Sequence, residues 1–75
     1  MLQVDFKKSD QELSEYVKLR CSGFGDVGSV NIHRQPTPFA LVEIANHAQV
    51  LEIAAQYGGS TFGTSVLIHL EQQPQ

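Results

Sequence analysis

Three histidines, one cysteine and five Lys or Arg residues carry most of the chemistry available to this 75-residue chain, alongside eight carboxylates. A metal site needs several His, Cys, Asp or Glu donors about 2 Å from one ion. Cys21 is the single thiol, which rules out an internal disulfide and a thiolate cage. His33 and His69 fall on strands expected at opposite edges of the sheet, three spacings or about 14 Å apart. His47 belongs to a helix behind that sheet, so no shared ion is expected. Asp5 and His69 are candidates for a cross-strand acid–imidazole pair, but no nucleophile accompanies them, and they read as a surface ion pair. Gly23-Phe24-Gly25 and Gly58-Gly59 do not lie between a strand and a following helix, as a phosphate loop requires. They read as helix stops, and nothing in the chain supports an enzyme, a metal or a cofactor.

The chemistry that remains is stacking and charge. In Phe39-Ala40-Leu41-Val42-Glu43-Ile44 the alternation sends Phe39, Leu41 and Glu43 to one face and Ala40, Val42 and Ile44 to the other. One face covers a core, and the other leaves an aromatic ring among polar groups. Lys7, Lys8, His33, Arg34 and Phe39 are expected at one end of this open face, with Glu43 toward the other. Three of the five Lys and Arg residues then flank the ring.

The elements that position these groups follow from periodicity. Leu2–Phe6 alternates as a first strand. Ser9 and Glu12 have capping-box spacing ahead of a helix whose apolar stripe is Leu13, Tyr16, Val17 and Cys21, closed by Phe24. Ser29–Arg34 is a second strand, with Asn31 and His33 outward. The turn Gln35-Pro36-Thr37-Pro38 leads into Phe39–Ile44. Asn46 caps a second helix through Tyr57, with Ala48, Leu51, Ala54 and Ala55 near one face and Val50 and Ile53 beside them. After a loop through Gly63, in which Phe62 plugs the core, Ser65–Glu71 is the last strand, with Leu67 and His69 outward. The order β-α-β-β-α-β is the split-βαβ, ferredoxin-like plan of an α+β domain. It implies a four-stranded antiparallel sheet, order 4-1-3-2, with two helices on one face.

Phe24-Gly25-Asp26-Val27-Gly28-Ser29-Val30-Asn31-Ile32 is similar to the passage from first helix to second strand in the RNA recognition motif family. Phe39-Ala40-Leu41-Val42-Glu43-Ile44 resembles the core of that family's longer consensus. Thr37 and Pro38 stand where the family has a basic residue and Gly, Leu41 replaces a second ring, and Gln3 replaces a ring on the first strand. The Phe of an Arg-containing motif found in protein-binding relatives is present as Phe62, but Ser60 stands at its Arg. The resemblance implies weak binding of single-stranded RNA. Phe39 would stack a base over a floor of Leu41 and Leu67; Gln3, Asn31, His33 and His69 would face base edges, and Lys7, Lys8 and Arg34 would meet phosphates.

The totals set limits on this expectation. A 41% hydrophobic share suits one small folded domain, expected over residues 1–71 with 72–75 as a flexible tail. A net charge of −3 opposes strong nucleic-acid binding, which rests on Lys and Arg neutralising phosphates. The same acidity favours an alternative: a protein-interaction or dimerisation module that covers Phe39, Leu41 and Leu67, or offers Asp10, Glu12 and Glu15 to a basic peptide. No signal pattern or membrane-length apolar run is present, and the lone cysteine suits a reducing compartment, so a cytoplasmic protein is expected.

Overall fold

The computed structural model describes residues 1–24 and 26–74; Gly25, expected among the helix stops, and Gln75, expected in the tail, lie outside the described residues. Strand β1 is Leu2–Val4, helix α1 is Asp10–Ser22, β2 is Val27–His33 and β3 is Phe39–Ile44. Helix α2 is His47–Tyr57, β4 is Ser60–Phe62 and β5 is Ser65–Gln72. The fold is α+β, with two helices and a five-stranded mixed sheet.

Both helix starts follow from local chemistry. The Ser9 Oγ accepts from the Glu12 N–H while Glu12 Oε1 accepts from the Ser9 N–H, a complete capping box. Asn46 Oδ1 accepts from the Ala48 N–H and starts α2. Gly58 ends α2 in the left-handed region, φ 66°, a conformation that costs glycine nothing.

The sheet corrects the expected order and count. Its path is β1-β5-β3-β2, and β4 pairs with the same edge of β5 that β1 uses further along. The reason is a hairpin where a loop through Gly63 is expected. Phe62 pairs with Ser65 across Gly63-Thr64, with Gly63 at φ 63°, which suits a two-residue hairpin turn. The chain therefore reverses after β4. β5 runs antiparallel to β3 along five residue pairs, Phe39–His69 to Glu43–Ser65. The short β1, ending at Val4 rather than Phe6, is left to pair in parallel with Leu70–Gln72. β1, β2 and β5 thus end where β3 begins.

Leu2, Val4, Ala40, Val42, Ile44, Val66, Ile68 and Leu70 form the strand side of the core, and Leu13, Val17, Cys21, Val50, Ile53 and Tyr57 the helix side. Five side chains depart from expectation, among them Ala48 and Ala55, which are exposed on α2. Tyr16 is 38% exposed and Leu51 53% exposed, because the buried stripes turn to Leu13/Val17/Cys21 and Val50/Ile53/Tyr57. Phe62 is no core plug: it is 59% exposed. Gln72 and Gln73, expected in the tail, are tied down. The Gln72 side chain accepts from the Phe6 N–H, and the Gln73 N–H donates to the Val4 carbonyl.

Candidate functional site

Cross-strand register builds the open face row by row, since directly paired residues project to the same side. The first row is His33–Phe39–His69, from β2, β3 and β5. The His33 and Phe39 rings are stacked, with centroids 4.6 Å apart and planes 12° from parallel. On the β5 side, His69 is the cross-strand partner of Phe39. The second row is Asn31–Leu41–Leu67–Ser60, and the third brings Glu43, Ser65 and Phe62 together, with Ser29 Oγ donating to Glu43 Oε2 at 3.3 Å. Gln3 pairs with Glu71 beyond the first row.

The two histidines are thus two strand spacings apart, about 10 Å, rather than three. The new strand order moves His69 next to Phe39, and the parallel register of β1 on β5, with Val4 beside Gln72, separates it from Asp5. The Asp5 carboxylate instead accepts from the Lys7 N–H at 3.0 Å, so the acid–imidazole pair does not form. Among the described residues no three His, Cys, Asp or Glu groups cluster as a metal site. Burial pushes the Cys21 thiol up to about 11, against a smaller lowering by Arg20, which keeps it a protonated core group.

Charge is arranged around the end of the face where β1, β2 and β5 finish. Arg34, one residue beyond His33, donates from Nε to Asp10 Oδ1 at 2.6 Å, from Nη1 to the Phe6 carbonyl at 2.9 Å and from Nη2 to the Lys8 carbonyl at 2.7 Å. Its guanidinium clasps the segment between β1 and α1 and so carries Lys7 and Lys8 to the same end of the sheet as His33. The Lys8 ammonium lies 3.9 Å from Glu12, an exposed pair of small energetic weight. Lys7 is exposed and has no ion-pair partner among the described residues.

Of the side chains named from the sequence, Gln3, Asn31, His33, Phe39, Leu41, Leu67 and His69 fall in the rows of the face, Lys7 follows β1 at its end, Lys8 pairs with Glu12, and the Arg34 guanidinium is engaged within the fold. Sequence reasoning missed Phe62 as a face residue. The Gly-Thr pair between two short β-prone runs was the signal for the hairpin that places it there. No family model matches this sequence, and neither a curated protein nor a solved structure matches it.

Proposed function

We propose that the open sheet face is a weak binding surface for single-stranded RNA. The observation that supports it most is the His33–Phe39 ring stack with His69 paired to Phe39 from β5, on a sheet face that neither helix covers. A base entering between Phe39 and His69 gains a stacking surface, and imidazole, Asn31 and Gln3 groups offer hydrogen bonds to base edges. Leu41 and Leu67 continue the apolar floor from the half-buried Phe39 toward Phe62, an exposed ring on the same face. Lys7 and Lys8 meet phosphates at the end of the face, held there by Arg34. The reading assigns no catalytic residue and no cofactor. It goes with a cytoplasmic setting, where RNA and a reduced thiol coexist. Among the described residues no helix is long and apolar enough to cross a membrane.

A second reading, a protein partner or second copy on the same face, is favoured by Glu43 and Glu71 standing on it and by the 59% exposure of Phe62. The experiment that separates the two is anisotropy of dye-labelled mixed-sequence RNA at low salt, with wild type and Phe39→Ala. Stacking is worth roughly 1–3 kcal/mol per base, so the substitution should weaken binding about 5- to 150-fold. Binding by wild type should also fall as salt rises. Absence of binding at millimolar protein, with a mass in solution that depends on Phe39, would support the second reading instead.

A further inference from the structure

The sheet ends on one side at β2, and among the described residues no strand pairs with its outer edge. Hydrogen bonding around β3 fixes which groups that edge presents. The Ile44 N–H donates to the Thr64 carbonyl, and the Pro38 carbonyl accepts from the Leu70 N–H. In an antiparallel ladder, successive residues turn their main-chain groups to alternate sides. Even-numbered residues of β3 therefore face β5, while Phe39 and Leu41 face β2 and bond with His33 and Asn31. Val30 and Ile32 are left with N–H and C=O groups pointing out of the sheet. Their side chains are unfinished too. Both pack against the core but stay partly buried, whereas the apolar core side chains of β1, β3 and β5 are buried. No Lys, Arg, Asp, Glu or Pro guards Val27–His33, and the bulge near its start leaves Val30–His33 in regular register.

We infer that β2 is a pairing edge for a second copy of this chain, joined antiparallel about a two-fold axis through Asn31. Val30 and Ile32 then exchange main-chain bonds with Ile32 and Val30 of the second copy, and their side chains cover one another. Their outward groups require even-numbered residues to oppose even-numbered ones. Centring on Asn31 sets both apolar side chains opposite apolar ones; centring on Val30 or Ile32 sets one of them opposite Gly28 or Arg34. Charge selects the same partner. Beside the Val27 end, Asp26 and Glu43 line a hollow of about 260 Å³ that has no Lys, Arg or His in its wall. Neither carboxylate is ion-paired among the described residues. At the other end, Lys7 lies between the two carbonyls that Arg34 clasps and also has no ion-pair partner there. In this register Arg34 of one copy opposes Gly28 of the other, which lines the acidic hollow, so Lys7 of each copy comes toward Asp26 and Glu43 of its mate. The inference uses the edge rather than the face and does not rest on the RNA reading.

Sedimentation equilibrium of the full chain, taken to millimolar concentration, should show the mass rising from 8.3 kDa toward twice that value. Asn31 and its symmetry mate form a non-hydrogen-bonded pair with Cα atoms about 4.5 Å apart, within the roughly 4.4–6.8 Å that a disulfide spans. Asn31→Cys should therefore oxidise to a covalent dimer, while His33→Cys, also exposed on β2, should stay monomeric; the native Cys21 is buried. Asn31→Lys sets like charges face to face and should weaken association about tenfold or more. Phe62→Ala, on the open face, should leave it unchanged. A mass of 8.3 kDa at millimolar protein would overturn the inference. So would absent or equal crosslinking of the two cysteine variants, or a dimer lost with Phe62→Ala but kept with Asn31→Lys.

Discussion

Arg34 shows how strand neighbours decide what a charged side chain does. As a sequence position next to His33 it suits a phosphate contact, but its three donors close on Asp10, Phe6 and Lys8 and fix the start of α1. Charge-assisted bonds at a partly exposed site are worth less than buried ones. Arg34→Met should therefore cost about 1–2 kcal/mol of stability, read as a lower urea midpoint at unchanged slope. Cys21 gives a prediction in pH. Its folded thiol titrates above its ordinary value of 9.0, at about 11. The folded state therefore holds its proton longer than the unfolded chain does, and the thiol's contribution is intact below pH 9 and lost as pH rises toward 11. Urea unfolding across that window should show stability falling with pH, with Cys21→Ala showing a shallower fall. Residue patterning made Phe39, His33 and Leu41 legible as face residues, because alternation alone sets their side. Tyr16 was not, since helical spacing puts it beside Val17 and only the position of β1 shows that this flank of α1 is half open.

At the scale of elements, the caps were legible and the sheet order was not. Ser9/Glu12 and Asn46 act within a few residues of chain, so the sequence contains the whole interaction. Strand order depends on which partner offers the longer ladder. β5 matches β3 over five pairs and takes the central place, while three residues of β1 settle at the edge. The β4–β5 hairpin that causes this reversal is close-packed at Gly59, where an added Cβ would lie 2.4 Å from the Leu67 carbonyl oxygen and 3.2 Å from a Val66 methyl. Gly59→Ala should therefore cost about 1–3 kcal/mol, since backbone must move to admit it. Gly23→Ala is the matched control. Nothing lies within 4 Å of its added Cβ and its φ of −64° is ordinary helix, so thermal melting should show it neutral or slightly stabilised.

For the whole molecule, one layer of helices over one mixed sheet leaves two surfaces of different chemistry. The open face offers rings, imidazoles and amides with Lys7 at its end, and a hollow between β1 and α1 is lined by Tyr16 and Leu19 with charges of both signs. A net charge of −3 makes any RNA affinity depend on this local segregation rather than on the total. The most direct measurement is therefore a titration of the isotope-labelled protein with short mixed single-stranded RNA at low salt, following backbone amides. Shifts at His33, Phe39, Leu41, Leu67 and His69, with Lys7 and Lys8 responding and all of them fading as salt rises, are the expected result. No shifts at millimolar RNA, or shifts scattered over α1 and α2 with the Phe39 row silent, would contradict an RNA-binding face.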